Sequence, residues 1–121
     1  MKNQTYRMTM LFDFYGELLT ERQKEFFDLY YNEDLSLSEI AENNGISRQG
    51  VRDVIVRAEA VMQDVEDKTG LIRRFMQMQN DLNAIHDAAA ELKTLNYRQY
   101  EDPRIEALAD TISQAVSALR E

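Results

Sequence analysis

Apolar positions recur at steps of three and four almost from the start of the chain, which is the spacing of one helical face. Met8, Leu11, Phe12, Tyr15, Leu18 and Leu19 predict a first helix over about 4–18. Thr20 opens a second. Its hydroxyl is placed to accept from the backbone N–H of Gln23, and Gln23 to reach back, the pattern of a capping box. The second helix, over 21–32, carries Phe26, Phe27, Leu29, Tyr30 and Tyr31, so it must be buried on more than one side. Ser36-Leu37-Ser38-Glu39 repeats the capping pattern and starts a short third helix over 37–43. Asn43-Asn44-Gly45 breaks it, because glycine tolerates the left-handed conformation that ends a helix. Ile46 resumes burial and Ser47 is placed to cap a fourth helix. That helix shows Val51, Val54, Ile55, Ala58, Val61, Met62 and Val65, and runs to Lys68, with Gly70 as its stop.

From residue 71 the pattern narrows. Phe75, Met78, Leu82, Ile85, Ala89 and Leu92 alternate steps of three and four, a heptad seam on a helix over 71–96. Asn96 to Glu101 is a polar and aromatic connector. Asp102-Pro103 starts the last helix, with Asp as N-cap and Pro at the first helical position. Ile105, Leu108, Ile112, Ala115, Val116 and Leu119 are its stripe. The expected fold is all-α: a helix-turn-helix domain over 1–70 and a helical extension over 71–121. The extension is expected either to fold back as a hairpin or to pair with a second copy or a partner. A homodimer is expected because the shorter last helix cannot cover the whole seam.

Composition narrows the classes. Four Gly and one Pro in 121 residues encode few turns, as long helices require. No apolar run approaches the length of a membrane span, so no membrane insertion is expected, and Met1 to Thr5 lead into no apolar leader. The chain has no cysteine, which removes disulfides, cysteine–zinc sites and thiol catalysis and fits a reducing, cytoplasmic location. The net charge is −8. It divides as −6 over residues 1–70 (eight basic, fourteen acidic) and −2 over 71–121 (six basic, eight acidic). An acidic chain is repelled at long range by nucleic acid, whose affinity for proteins comes largely from phosphate neutralisation.

The informative stretch is 36–57, SLSEIAENNGISRQGVRDVIVR. A helix-turn-helix crosses two helices steeply over a tight turn. Ala41 supplies a small residue at the crossing and Gly45 the turn four positions on. Val51 and Val54 face inward from the second helix, and Ile40 and Ile46 complete the small core. Outward fall Ser47, Arg48, Gln49, Arg52, Asp53, Val56 and Arg57. Ser47 and Arg48 stand at a helix N-terminus, where backbone N–H groups favour phosphate. Gln49 is able to read adenine, and arginine guanine or phosphate. Ser47, Arg48, Gln49, Arg52 and Arg57 are therefore the candidate nucleic-acid contacts. Asp53 opposes them unless it pairs with Arg52, Arg57 or a base. Gly50, inside the helix, costs roughly 1 kcal/mol relative to Ala. An ordinary solvated face is the alternative.

Residues 20–57 resemble region four of bacterial sigma factors. A larger stretch, about 6–70, resembles the YlxM family of small bacterial helix-turn-helix proteins, through YRMTMLFDFYGELLTERQ, LYYNEDLSLSEIA and GISRQGVRDVI. The family's genes typically lie beside those of the signal recognition particle. The resemblance thus implies a regulatory or accessory role in that pathway, with DNA, signal recognition particle RNA or signal recognition particle proteins as partners. Against it stands a protein–protein adaptor that keeps the fold without DNA affinity.

Catalysis finds no constellation, so no enzyme activity, metal or cofactor is expected. His86, the single histidine, has no cysteine or second histidine to complete a metal set. Asp64, Glu66 and Asp67 read as a solvated helix end, and Glu39 is explained as a cap. No GxxxxGK loop is present. Tyr30-Tyr31 and Phe26-Phe27 read as core.

Overall fold

The structure, a computed structural model, describes residues 5–120. Among these residues the chain forms six helices and no strand: α1 (Thr5–Tyr15), α2 (Glu21–Tyr31), α3 (Leu37–Asn44), α4 (Arg48–Thr69), α5 (Leu71–Leu95) and α6 (Pro103–Arg120). The fold is all-α, a helical bundle followed by a long and a returning helix. Position 4, the expected start of the first helix, and Glu121 lie outside the described residues. The chain divides into two compact units, one through Ile72 and one from Arg73 on.

In the first unit, local chemistry sets each boundary. α1 ends at Tyr15, three residues short of the expected end, and Gly16–Leu18 form a tighter 3₁₀ turn closed by the Leu19 N–H on the Gly16 carbonyl at 3.1 Å. The Phe12 ring lies over Gly16, where a Cβ would meet it at 3.2 Å. That ring stacks on Phe27 with centroids 4.9 Å apart. Thr20 and Gln23 form the first capping box at 3.2 and 3.0 Å. Ser36 and Glu39 form the second, both bonds at 3.1 Å. Gly70 stops α4 in the left-handed region at φ 62°.

The core of this unit is built around Leu11, Phe26, Phe27, Ile40, Val51, Ile55 and Met62, all fully buried. Tyr30 and Tyr31 are buried with them. α4 packs against α1, α2 and α3, so its inner face is apolar on every side that matters. Two phenols enter this core and donate to carboxylates on α4: Tyr31 to Glu59 and Tyr15 to Glu66, each at 2.6 Å. Arg7 of α1 donates to Gln63 of α4. The expectation of a solvated end at Asp64, Glu66 and Asp67 fails for Glu66. Asp64 and Asp67 are exposed, but Glu66 is half-buried and its Oε1 also accepts from the Ile72 N–H at 2.9 Å. A carboxylate at the first turn of α5 satisfies an otherwise unpaired donor and complements the helix dipole.

In the second unit α6 folds back along α5. Leu82 and Ala89 of α5 and Ala109 and Val116 of α6 are buried, and Lys93 bridges to Asp110 at 2.7 Å and Glu106 at 3.5 Å. Asn96–Tyr100 is a single π-helical turn. The buried Asn96 side chain closes the hairpin, donating to the Asp102 carbonyl at 2.8 Å and accepting from its N–H at 2.9 Å. Asp102 in turn accepts from the Arg104 N–H at 2.8 Å, the cap expected ahead of Pro103. The seam divides within the hairpin. Phe75, Met78, Ile85 and Leu92 are exposed while Leu82 and Ala89 are buried. On α6 the inward pair is Ala109 and Val116, and Leu108, Ile112 and Leu119 are exposed. Two alanines bring the helix axes close, so larger neighbours on the flanks are left outside.

Candidate nucleic-acid interface

The turn between α3 and α4 is made by one residue in an unusual conformation. Gly45 sits at φ 65°, and its N–H and that of Ile46 both reach the Ala41 carbonyl, the latter at 3.2 Å. A Cβ at Gly45 would meet nothing within 4 Å, so the backbone angle, not space, calls for glycine here. Ile40, Ala41 and Val51 are buried at the crossing, and Ile46 and Val54 pack half-buried against the same core. α3 and α4 are thereby locked together, and the outer face of α4 is presented on a rigid support.

Ser47 caps α4, its hydroxyl accepting from the Gly50 N–H at 2.9 Å. The N–H groups of Arg48 and Gln49 stand ahead of any intrahelical acceptor. They point out of the positive end of the helix dipole. Ser47, Arg48, Gln49, Arg52, Asp53, Val56 and Arg57 are all exposed. The five candidate contacts thus lie on the solvent-exposed side of α4, spread over about two and a half turns from its N-cap to Arg57. Arg48, Arg52 and Arg57 take part in no salt bridge among the described residues, so their charge is not spent within the chain.

Asp53 pairs with neither Arg52 nor Arg57. It accepts from Gln49 Nε2 at 2.9 Å. The four-residue spacing is the signal that sequence reasoning passed over, since amide and carboxylate at i and i+4 meet on a helix. The bond leaves the arginines free and ties up the one side chain suited to read adenine. Gly50 is tight rather than open: an added Cβ would lie 3.2 Å from Ser47 Oγ and 3.7 Å from Ile46 Cδ1. His86 is half-buried on α5, its Nδ1 3.6 Å from Asp87 Oδ1. Among the described residues no group of three His, Asp or Glu side chains is placed to hold a metal ion.

With this geometry in view, the likeness to known proteins is specific. Residues 2–101 match the family described as YlxM / p13 like helix-turn-helix proteins, UPF0122. The chain belongs to the UPF0122 family. A UPF0122 protein of Thermoanaerobacter sp. (strain X514) is 40% identical over 93% of this chain and 92% of its own length. One from Acetivibrio thermocellus is 39% identical over 90% of this chain and 99% of its own. Another, from Bacillus thuringiensis, is 43% identical over 79% of this chain and 87% of its own. The UPF0122 match extends well past the 6–70 stretch that carries the sequence resemblance. It takes in α5 and the π turn and ends two residues before α6. No helix among the described residues is long and apolar enough to cross a membrane.

Proposed function

We propose that this UPF0122 chain is a non-enzymatic accessory protein that contacts nucleic acid through α4, acts in the signal recognition particle pathway, and works as a homodimer. One observation carries the nucleic-acid reading: three exposed arginines, in no salt bridge among the described residues, line the solvent-exposed side of α4 from its N-terminus onward. Phosphates suit that combination, because guanidinium groups pair with them and free N–H groups point at them. The net charge of −8 limits long-range attraction, so binding is short-ranged and steeply sensitive to salt. The pathway follows from the gene neighbourhood that accompanies the family resemblance, and makes signal recognition particle RNA the first nucleic acid to try.

A second reading rests on Asp53. A carboxylate in the middle of the face, on an acidic chain, suits a basic protein surface better than a phosphate backbone. In that case α4 docks on a protein of the particle. Salt-titrated binding to duplex DNA and to the particle's RNA, beside its protein subunits, distinguishes the two. The nucleic-acid reading expects saturable binding to one polymer that weakens linearly in log–log form with salt. Binding to a protein subunit alone would overturn it.

A further inference from the structure

The homodimer proposed above requires a surface, and only part of the heptad seam is left for it, because Leu82 and Ala89 are consumed within the hairpin. At 100° per residue, a position three after a buried one falls on one flank of the helix, and a position four after it on the other. Lys93 lies four after Ala89. Glu106, three before Ala109, falls on the matching flank of α6, and the ion pairs of Lys93 with Glu106 and Asp110 mark that edge of the hairpin. The opposite edge is apolar on both helices. Ile85 and Leu92 come three after Leu82 and Ala89, and Met78 four before Leu82. Ile112 and Leu119 come three after Ala109 and Val116, and Leu108 one before Ala109. In antiparallel helices these flanks lie side by side, so the six side chains form one face.

All six are exposed: Met78 51%, Ile85 45%, Leu92 44%, Leu108 56%, Ile112 37% and Leu119 65%. Together they leave roughly 600 Å² of each copy to solvent, close to the ~800 Å² a side that a standard specific interface buries. That exposed area is at the upper end of the largest apolar patch on a typical monomer, and such patches are often functional. The hairpin has little core of its own, since two of its four buried apolar side chains are alanines. The geometry points to a second copy of this hairpin as the occupant: two hairpins meet face to face across a two-fold axis and complete a four-helix bundle. Asp81, one before Leu82, stands exposed at the rim of this face, and two identical apolar stripes complement each other directly. This assignment rests on the homodimer reading but can fail without it.

The test uses the full chain. Light scattering across the micromolar range gives twice the chain mass for the wild type. Ile85→Glu with Ile112→Glu gives the single mass, with helicity by circular dichroism unchanged because both positions are exposed within the chain. A wild type that stays monomeric throughout overturns both the face and the dimer. A double variant that remains dimeric overturns the face and leaves the dimer standing. Should the double variant lose helicity, cross-linking decides. The chain has no cysteine, so single Ile85→Cys and Ile112→Cys chains report their own surroundings. Oxidation should yield linked dimers from at least one of them and none from Asp87→Cys, and equal yields from all three would sink the assignment.

Discussion

At the residue scale, the most consequential groups are two phenols. Burial first, and the Glu59 carboxylate beside it second, push the Tyr31 hydroxyl far above its ordinary range. Burial and Glu66 push Tyr15 the same way. Each phenol is therefore held protonated by the fold more strongly than in the unfolded chain. Their contribution to stability is fully present below about pH 10, the unfolded tyrosine value, and is lost as pH rises through the raised folded values. Thermal unfolding followed from pH 8 to pH 11 should show a decline that begins near pH 10 and is shallower in Tyr31→Phe. At pH 7 Tyr31→Phe should cost about 1–2 kcal/mol, the worth of a hydrogen bond to a half-buried charge. A neutral effect would mean that Glu59 finds another donor. Gly50 sets a finer balance. Replacing it by Ala gains up to roughly 1 kcal/mol of helix propensity, against the crowding of Ser47 Oγ at 3.2 Å. The two offset, so Gly50→Ala should change stability by less than about 1 kcal/mol in denaturant titration.

At the element scale, the crossing of α3 over α4 is the most constrained feature. Ala41 is buried there, and its carbonyl receives both turn N–H groups. Ala41→Leu should overpack the crossing and cost roughly 1–3 kcal/mol, read from the denaturant midpoint. A neutral result would mean that α3 swings away without loss. The elements written in local chemistry were legible: both capping boxes, the Gly45 and Gly70 stops, the Ser47 cap and the Asp102-Pro103 start. Each depends on residues within three or four positions of one another. The end of α1 was not legible, because it depends on the Phe12 ring over Gly16, a contact fixed by packing on Phe27. Glu66 was misjudged for the same reason. Its partners, Tyr15 and the Ile72 N–H, come from other elements, and an acidic run looks solvated when only its own neighbours are counted. On α5 and α6 the apolar stripes were legible, and their division between the hairpin contact and solvent was not. Alanines hold the centre of the hairpin, and a pattern read by large side chains places its axis one flank away.

At the scale of the whole molecule, a rigid helix-turn-helix unit is joined to a helical hairpin with an apolar flank. The first unit presents three exposed arginines on α4; the hairpin supplies the surface proposed for pairing two copies. A dimer doubles the arginine count at the target, which suits a chain whose overall charge opposes phosphate. The central claim is that α4 is the contact surface, and one measurement bears on it most directly. Affinity for the nucleic acid that binds in the salt titration should be compared between wild type and Arg48→Ala with Arg52→Ala, from low to moderate salt. The account predicts weaker binding and a log–log salt slope shallower by about 2 per bound chain, one for each phosphate contact removed. A folded double variant with unchanged affinity and unchanged slope would contradict it.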